Sequence, residues 1–248
     1  MISAAIMMVA LGGYIASRYI PLAGAPMPDL HLDWNIARAT WRIIDDDRKN
    51  RRVFLSILGI SWFWLVGATF LLQFPNYAKD IIGGDASLVT SFLTVFSVGI
   101  GVGSFLCNKL LKGKIKSTYV SAAAIGMSVF MIDLYFASGS AHYTHEGVYI
   151  TAWQFMDHLG GWRILCDLFA VAICGGLYIV PLYAIMQHDS DPATRARTIA
   201  SNNVINALFM VISAVGSMLM LDAHYTPQGV LLTLAMLNLP VALWLRRI

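Results

Sequence analysis

The chain has 248 residues, of which 58% are hydrophobic and 12% charged, with a mean hydropathy of +0.66 and a net charge of +3. Soluble domains carry roughly 25% charged residues, so most of this chain cannot face water, and its two longest polar segments, 23–52 and 139–162, are too short for an independent globular domain. The positive charge sits in short clusters beside apolar runs without a continuous basic face, which argues against nucleic acid as a partner, and Cys107, Cys166 and Cys174 form no C-x-x-C pair that would suggest a disulfide framework or a zinc site.

A helix needs about 20 mostly apolar residues to cross a bilayer, and seven stretches qualify: 2–22, 53–74, 88–107, 117–138, 163–186, 199–221 and 229–245. The expected fold class is therefore an all-α integral membrane protein of seven transmembrane helices. The first stretch begins directly after Met1, without a basic n-region or a small-residue cleavage site, and reads as a membrane helix rather than a signal peptide. Within 23–52, Trp34, Ala37, Trp41 and Ile44 recur at helical spacing, with Asp33 as N-cap and Arg38 and Arg42 on another face. That is the pattern of a basic helix lying on a membrane surface.

The stretch 53–74 ends near Gln73, an uncharged polar group at membrane depth, and Pro75-Asn76-Tyr77 and Gly83-Gly84-Asp85 are turn chemistry. In 88–107 the run Gly99, Gly101, Gly103 is not a phosphate loop, because Ser104 does not fit the last glycine of G-x-G-x-x-G. Gly99 and Gly103 instead form a G-x-x-x-G pair that lets two membrane helices approach closely.

Asp133 in 117–138 and Asp167 in 163–186 are acids within apolar spans, where insertion costs about 2.5–3.5 kcal/mol near the centre, so they are expected to face a cavity or a partner. Arg163, one turn before Asp167, supplies an i,i+4 ion pair as its simplest structural role. Asp133 is a candidate to touch substrate or a coupling ion. In the connection between them, His142, His145, Glu146, Asp157 and His158 lack the H-E-x-x-H helical spacing, so a solvated loop without metal is expected.

Asp191-Pro192 marks the next turn. In 199–221, Asn203, Asn206, Met210, Ser213 and Ser217 share one stripe at helical spacing, while Ile205, Leu208, Ile212, Val215 and Leu219 form the opposite one. An amide is poorly served by lipid, so Asn203 and Asn206 are expected to face a translocation cavity, with interhelical hydrogen bonding as the alternative for them and for Gln73. Trp62, Trp64, Trp153, Trp162 and Trp244 read as interfacial anchors or packing residues. No G-x-S-x-G elbow and no H-x-x-x-x-D acyltransferase motif occurs, so no enzyme, catalytic residue or cofactor is expected.

Lysine and arginine gather on one side if all seven spans alternate: fifteen of the seventeen lie at the 18–52, 109–116 and 195–197 connections and the C-terminus, against only Lys79 and Arg163 on the other side. The excess marks the cytoplasm, which places the N-terminus outside and the C-terminus inside. Seven is an awkward number for repeat-built transporters, which favour halves of six. The division expected is a single helix, 1–22, ending a missing N-terminal half; a basic cytoplasmic linker, 23–52; and a six-helix half, 53–248.

The segments LGISWFWLVGATFLLQFPNYAKDIIGGD (58–85) and GGLYIVPLYAIMQHDSDPATRARTIASNNVINALFMVISAVGSML (175–219) resemble the bacterial lysophospholipid transporter family of the major facilitator superfamily. The resemblance is especially to members fused to a phospholipid acyltransferase and an acyl-activating enzyme, and Val180-Pro181-Leu182, Gln187 and Asn203 fall where family members carry the same residues. The resemblance implies a twelve-helix fold with the substrate between two six-helix halves, in the bacterial inner membrane. It also implies import or flipping of lysophospholipid for re-acylation, with the bilayer, the missing half and a fused or adjacent acyltransferase as partners. Gln73, Asp133, Asn203 and Asn206 are then the candidate substrate-binding residues. The chain departs from stand-alone members, which carry an arginine where this sequence has Leu71 and an acid where it has Asn206, and Asn108 replaces the usual acid of a superfamily loop motif. Two rivals stand beside this reading: an exporter of drugs or other solutes on the same fold, and a non-transporting anchor for a fused acyltransferase.

The charge asymmetry is testable by thiol labelling. In a cysteine-free background, single cysteines replacing Ser87 and Gly147 should react with an impermeant reagent from outside, and one replacing Ser117 should not; external labelling at Ser117 would reverse the orientation.

Overall fold

The computed structural model describes residues 2–21, 36–112, 117–139 and 149–247. Asp33, Trp34, Lys114, Lys116, His142, His145, Glu146 and Gly147 lie outside the described residues. The chain divides into two units, Met1–Trp34 and Asn35–Ile248. The first contains α1 (Ile2–Ser17), a helix of 16 residues and about 24 Å, shorter than the ~30 Å hydrocarbon core of a bilayer.

The second unit contains α2 (Ile36–Lys49), α3 (Arg51–Asn76), a π-helix over Tyr77–Ile82, α4 (Ala86–Leu111), α5 (Val120–Ser138), α6 (Ala152–Met156), α7 (Leu159–Asp189), α8 (Arg195–Asp222) and α9 (Pro227–Trp244). Among the described residues there is no strand. Extended backbone pairs only at a parallel bridge between Gly84 and Ile150, which ties the turn before α4 to the start of α6. Six helices, α3 with its π extension, α4, α5, α7, α8 and α9, are long and apolar enough to cross a membrane, the signature of a multi-pass membrane protein. The stretch 2–22 differs from the other six expected spans, because its helix stops at Ser17.

Local chemistry explains where the long helices start. The Asn50 side chain accepts from the Val53 N–H at 3.3 Å ahead of α3, and Asp85 accepts from the Ser87 N–H at 2.8 Å ahead of α4. The Ser87 hydroxyl also donates to Asp85 and, with the first N–H groups of α4, holds the Asp85 carboxyl below the usual carboxylate range. Thr226 caps α9 with Pro227 at its first position.

The turn expected at Pro75-Asn76-Tyr77 is not there. The helix continues through Pro75, and the Tyr77 N–H reaches both Gln73 O and Phe74 O as the chain widens into the π-helix, absorbing the donor that proline lacks. Aromatic packing holds the extension in place. Phe74 lies 5.6 Å from Phe96 and 6.0 Å from Phe92, and Tyr77 lies 5.8 Å from Phe92, all between ring centroids. The reversal comes instead at Gly83, whose φ of 79° is left-handed and suits glycine.

The core is organised around α7, which packs against α3, α4 and α5; α3 also packs on α8, and α5 on α9. The α4–α7 crossing is the tightest. A Cβ on Gly99 would come within 2.6 Å of Ala172 Cβ, one on Gly176 within 2.6 Å of Ser104 N, and one on Gly103 would collide with the Ile173 carbonyl oxygen. Backbone is in contact with backbone along this seam, and a side chain there would force the helices apart. A Gly103→Leu substitution should therefore destabilise the protein by roughly 1–3 kcal/mol, as overpacking does, read as a lower thermal midpoint in detergent. Gly101, with nothing near its Cβ position, is the control: Gly101→Leu should leave the midpoint unchanged, and equal effects at the two positions would reject the close crossing.

Candidate functional site

The polar groups of the apolar bundle concentrate on the seam between α3 and α8. Thr69 and Ser213 join their hydroxyls at 2.8 Å. Thr69 gives its single proton to the Leu65 carbonyl at 2.9 Å, so Ser213 is the donor between the two. Two turns away on each helix, the Ser61 hydroxyl donates to Asn206 Oδ1 at 2.8 Å. The matched spacing keeps the pairs on facing sides of two helices that run the same way.

This divides the stripe read from the sequence. Asn206, at 7% exposure, Ser213 and Ser217 turn into the α3 contact, whereas Asn203 and Met210 on the flank of that stripe are exposed. Asn203 and Asn206 therefore do not share one surface. The aliphatic stripe is largely uncovered, with Leu208, Ile212, Val215 and Leu219 exposed, while Ile205 is buried.

Gln73 is buried one turn beyond Thr69, and its Oε1 has no hydrogen-bond partner among the described residues; neither amide atom of the fully buried Asn202 has one either. Such groups are costly in apolar surroundings unless water or a ligand reaches them.

Beside the seam, Asn238 of α9 is fully paired. Its amide nitrogen donates to Ala124 O at 2.6 Å and Ser128 Oγ at 3.0 Å, and its oxygen accepts from Trp62 Nε1 at 2.8 Å. One side chain thus locks α9 to α5 and α3. Between α3, α8 and α9 lies a groove of about 220 Å³, lined by apolar side chains including Leu65, Ile212, Leu234 and Leu237, with the Thr69 and Ser213 hydroxyls among its walls.

At the end of the bundle that the charge pattern assigns to the exterior, Arg163 does not pair with Asp167. It donates Nε at 3.2 Å and Nη2 at 2.5 Å to the two oxygens of Asp133 on α5. The cross-helix carboxylate accepts both prongs of the guanidinium fork, and Asp133 is accordingly engaged in an ion pair. Asp167 is left 5% exposed, and its Oδ2 has no partner among the described residues. Trp153, at 80% exposure, and Trp162 also lie at this end.

At the opposite end α2 packs onto α3 and α8. Thr198 Oγ1 donates to Asp47 Oδ1 at 2.8 Å, Arg52 pairs with Asp189 at 3.0 Å, and Asn50 Nδ2 donates to Asp189 O at 3.0 Å. The neighbouring Lys49, 2.7 Å from Asp46, holds the Asp46 carboxyl below the usual range. A polar cavity of about 190 Å³ lined by Asp46, Asp47, Asn50, Asp191 and Arg197 opens beside this contact. The exposed Trp41 lies under the Arg48 guanidinium, 5.7 Å from its ring centroid. Among the described residues no group of three or more His, Cys, Asp or Glu is placed to hold a metal ion.

No protein-family model matches the chain, and no curated protein or solved structure matches it.

The Asn238 hub and the Asp47–Thr198 contact are absent from the sequence reading. Asn238 is a single amide in an apolar run, a signal that membrane depth alone makes noteworthy. Asp47 is one of three consecutive acids, and which of them turns inward depends on how α2 docks. A double-mutant cycle with Ser61→Ala and Asn206→Leu tests the seam: the coupling energy for unfolding should be on the order of 0.6 kcal/mol, the mean for interhelical hydrogen bonds in membranes. Strictly additive effects would reject the pairing.

Proposed function

We propose that the chain is the C-terminal half of a major-facilitator-type transporter that moves or flips lysophospholipid across the bacterial inner membrane for re-acylation. The observation that carries this reading is the uneven covering of the bundle. In the apolar windows of α3 and α7, 61% and 56% of residues are buried, against 28% and 22% in those of α4 and α8. Two helices are thus left largely bare, and α8 presents the amide of Asn203 on its bare side. A second six-helix half would cover these faces and enclose the amide between halves, where a substrate site belongs in this architecture.

The packing order supports the same reading. Divided into triplets α3–α4–α5 and α7–α8–α9, the first helix of each packs on the middle helix of the other, α3 on α8 and α7 on α4. Such an exchange is what two inverted three-helix repeats produce, and nested repeats of this kind build each half of a major facilitator transporter. For the substrate, Asn203 supplies hydrogen bonds to a zwitterionic head group, and the apolar groove between α3, α8 and α9 suits part of an acyl tail. Asn206 ties α8 to α3 through Ser61 rather than serving as a head-group ligand.

In the full-length parent, Asn203→Leu should leave membrane abundance unchanged and lower lysolipid uptake several-fold, the equivalent of roughly 1 kcal/mol for one hydrogen bond. Unchanged uptake would remove Asn203 from the site. The 248 residues alone should insert without moving lysolipid, because alternating access rocks two halves about a shared site; uptake by the isolated chain would overturn the half-transporter reading.

A further inference from the structure

We propose that Asp133, Arg163 and Asp167 form a proton-binding site between α5 and α7, in which Asp167 takes up and releases one proton while Arg163 holds the Asp133 carboxylate. The fork from Arg163 to both oxygens of Asp133 fixes that carboxylate as the partner of the one guanidinium. Asp167 follows Arg163 by one helical turn and brings a second carboxyl within hydrogen-bonding reach of Asp133. Its side chain is 5% exposed, and Oδ2 has no partner among the described residues.

Charge counting makes the site. Two carboxyls face one guanidinium, and Asp167 lies eight residues into α7, about 12 Å from its start. A second fixed negative charge at that depth costs several kcal/mol. A proton on Asp167 removes the charge and creates an O–H that donates to the Asp133 carboxylate. Among the described residues no other charged group is placed to do this. Residues 53–76 of α3 and 86–108 of α4 carry no charged side chain. Asp157 and His158 precede α7 at its first turn, Lys79 and Asp80 are exposed on the π-helix, and Cys166 and Tyr135 stand beside the acids in sequence on α7 and α5.

Access follows from the exposure of the pair. The Asp133 and Arg163 side chains are 41% and 53% exposed, so they form the mouth and Asp167 lies behind them. A proton delivered by water forms one O–H bond on Asp167, and that bond breaks when the proton returns to water. Acids so placed within membrane spans are the elements of proton relays in transporters. The site rests on the transporter reading only for its use, which is to couple a proton gradient to substrate movement.

The test is infrared titration of the chain in phospholipid bilayers, following the protonated-carboxyl C=O stretch from about pH 5 to about pH 9, where exposed carboxyls, which titrate near about 4, stay ionised. A reversible band should be present in the wild type and lost in Asp167→Asn at unchanged thermal midpoint. In Asp133→Asn, where Arg163 is released to hold the Asp167 carboxylate instead, the band should move to lower pH. Persistence of the band in Asp167→Asn, or an unshifted band in Asp133→Asn, would overturn the site. The second variant decides the matter if the first does not accumulate. Lysolipid uptake is read separately in the full-length parent: a titrating Asp167 without lysolipid uptake upholds the proton site and rejects the lysolipid assignment.

Discussion

The carbonyl oxygen of Ile173 occupies the space that a side chain on Gly103 would need, and Gly176 meets the backbone of α4 from the other side. Lipid tails are as apolar as leucine, so no hydrophobic drive holds these helices together and close packing must do it. The glycine seam lets α7 approach α4 to backbone contact while its other faces serve α3 and α5. A helix surrounded on three sides becomes the fixed axis of the bundle. The helices packed against its flanks, α8 on α3 and α9 on α5, inherit their positions from it.

Within that frame, polar side chains do two different things. Asn238 has both amide N–H groups and its oxygen engaged, by Ala124, Ser128 and Trp62, and it closes α9 onto the bundle. Leaving such a group unpaired would cost about 1–3 kcal/mol, so the three partners make it a clamp. Gln73, Asn202 and Asp167 are buried with polar atoms that lack partners among the described residues. Buried polar atoms of this kind are costly in apolar surroundings.

The α2 helix extends this division to the end of the bundle. Its Asp47 takes a hydrogen bond from Thr198, in the first turn of α8, and the chain after it is tied through Asn50 and Arg52 to Asp189 at the end of α7. The fixed axis and the loosely covered helix therefore meet at one polar contact.

Much of the membrane character was legible in the sequence, because a span of some twenty apolar residues has no other stable environment. Residues 53–245 announced six helices, and Gly99 and Gly103 marked a helix face without side chains. Helix partners were not legible. Periodicity places Asn203 and Asn206 on one stripe, but whether a neighbouring helix covers both depends on how α8 is rotated against α3, and the Ser61 hydroxyl decided for Asn206 alone. Likewise Arg163 has a carboxylate four residues along its own helix and another on α5, and sequence distance favours the first. Only the packing of α5 on α7 brought the two oxygens of Asp133 into line with the guanidinium fork. Pro75 read as a turn because its missing N–H breaks a regular helix; the aromatic residues of α4, twenty positions away, held the chain helical through it. A single chain determines how apolar each segment is and which way its faces point, whereas the choice between competing partners is made by distances that exist only once the helices have packed.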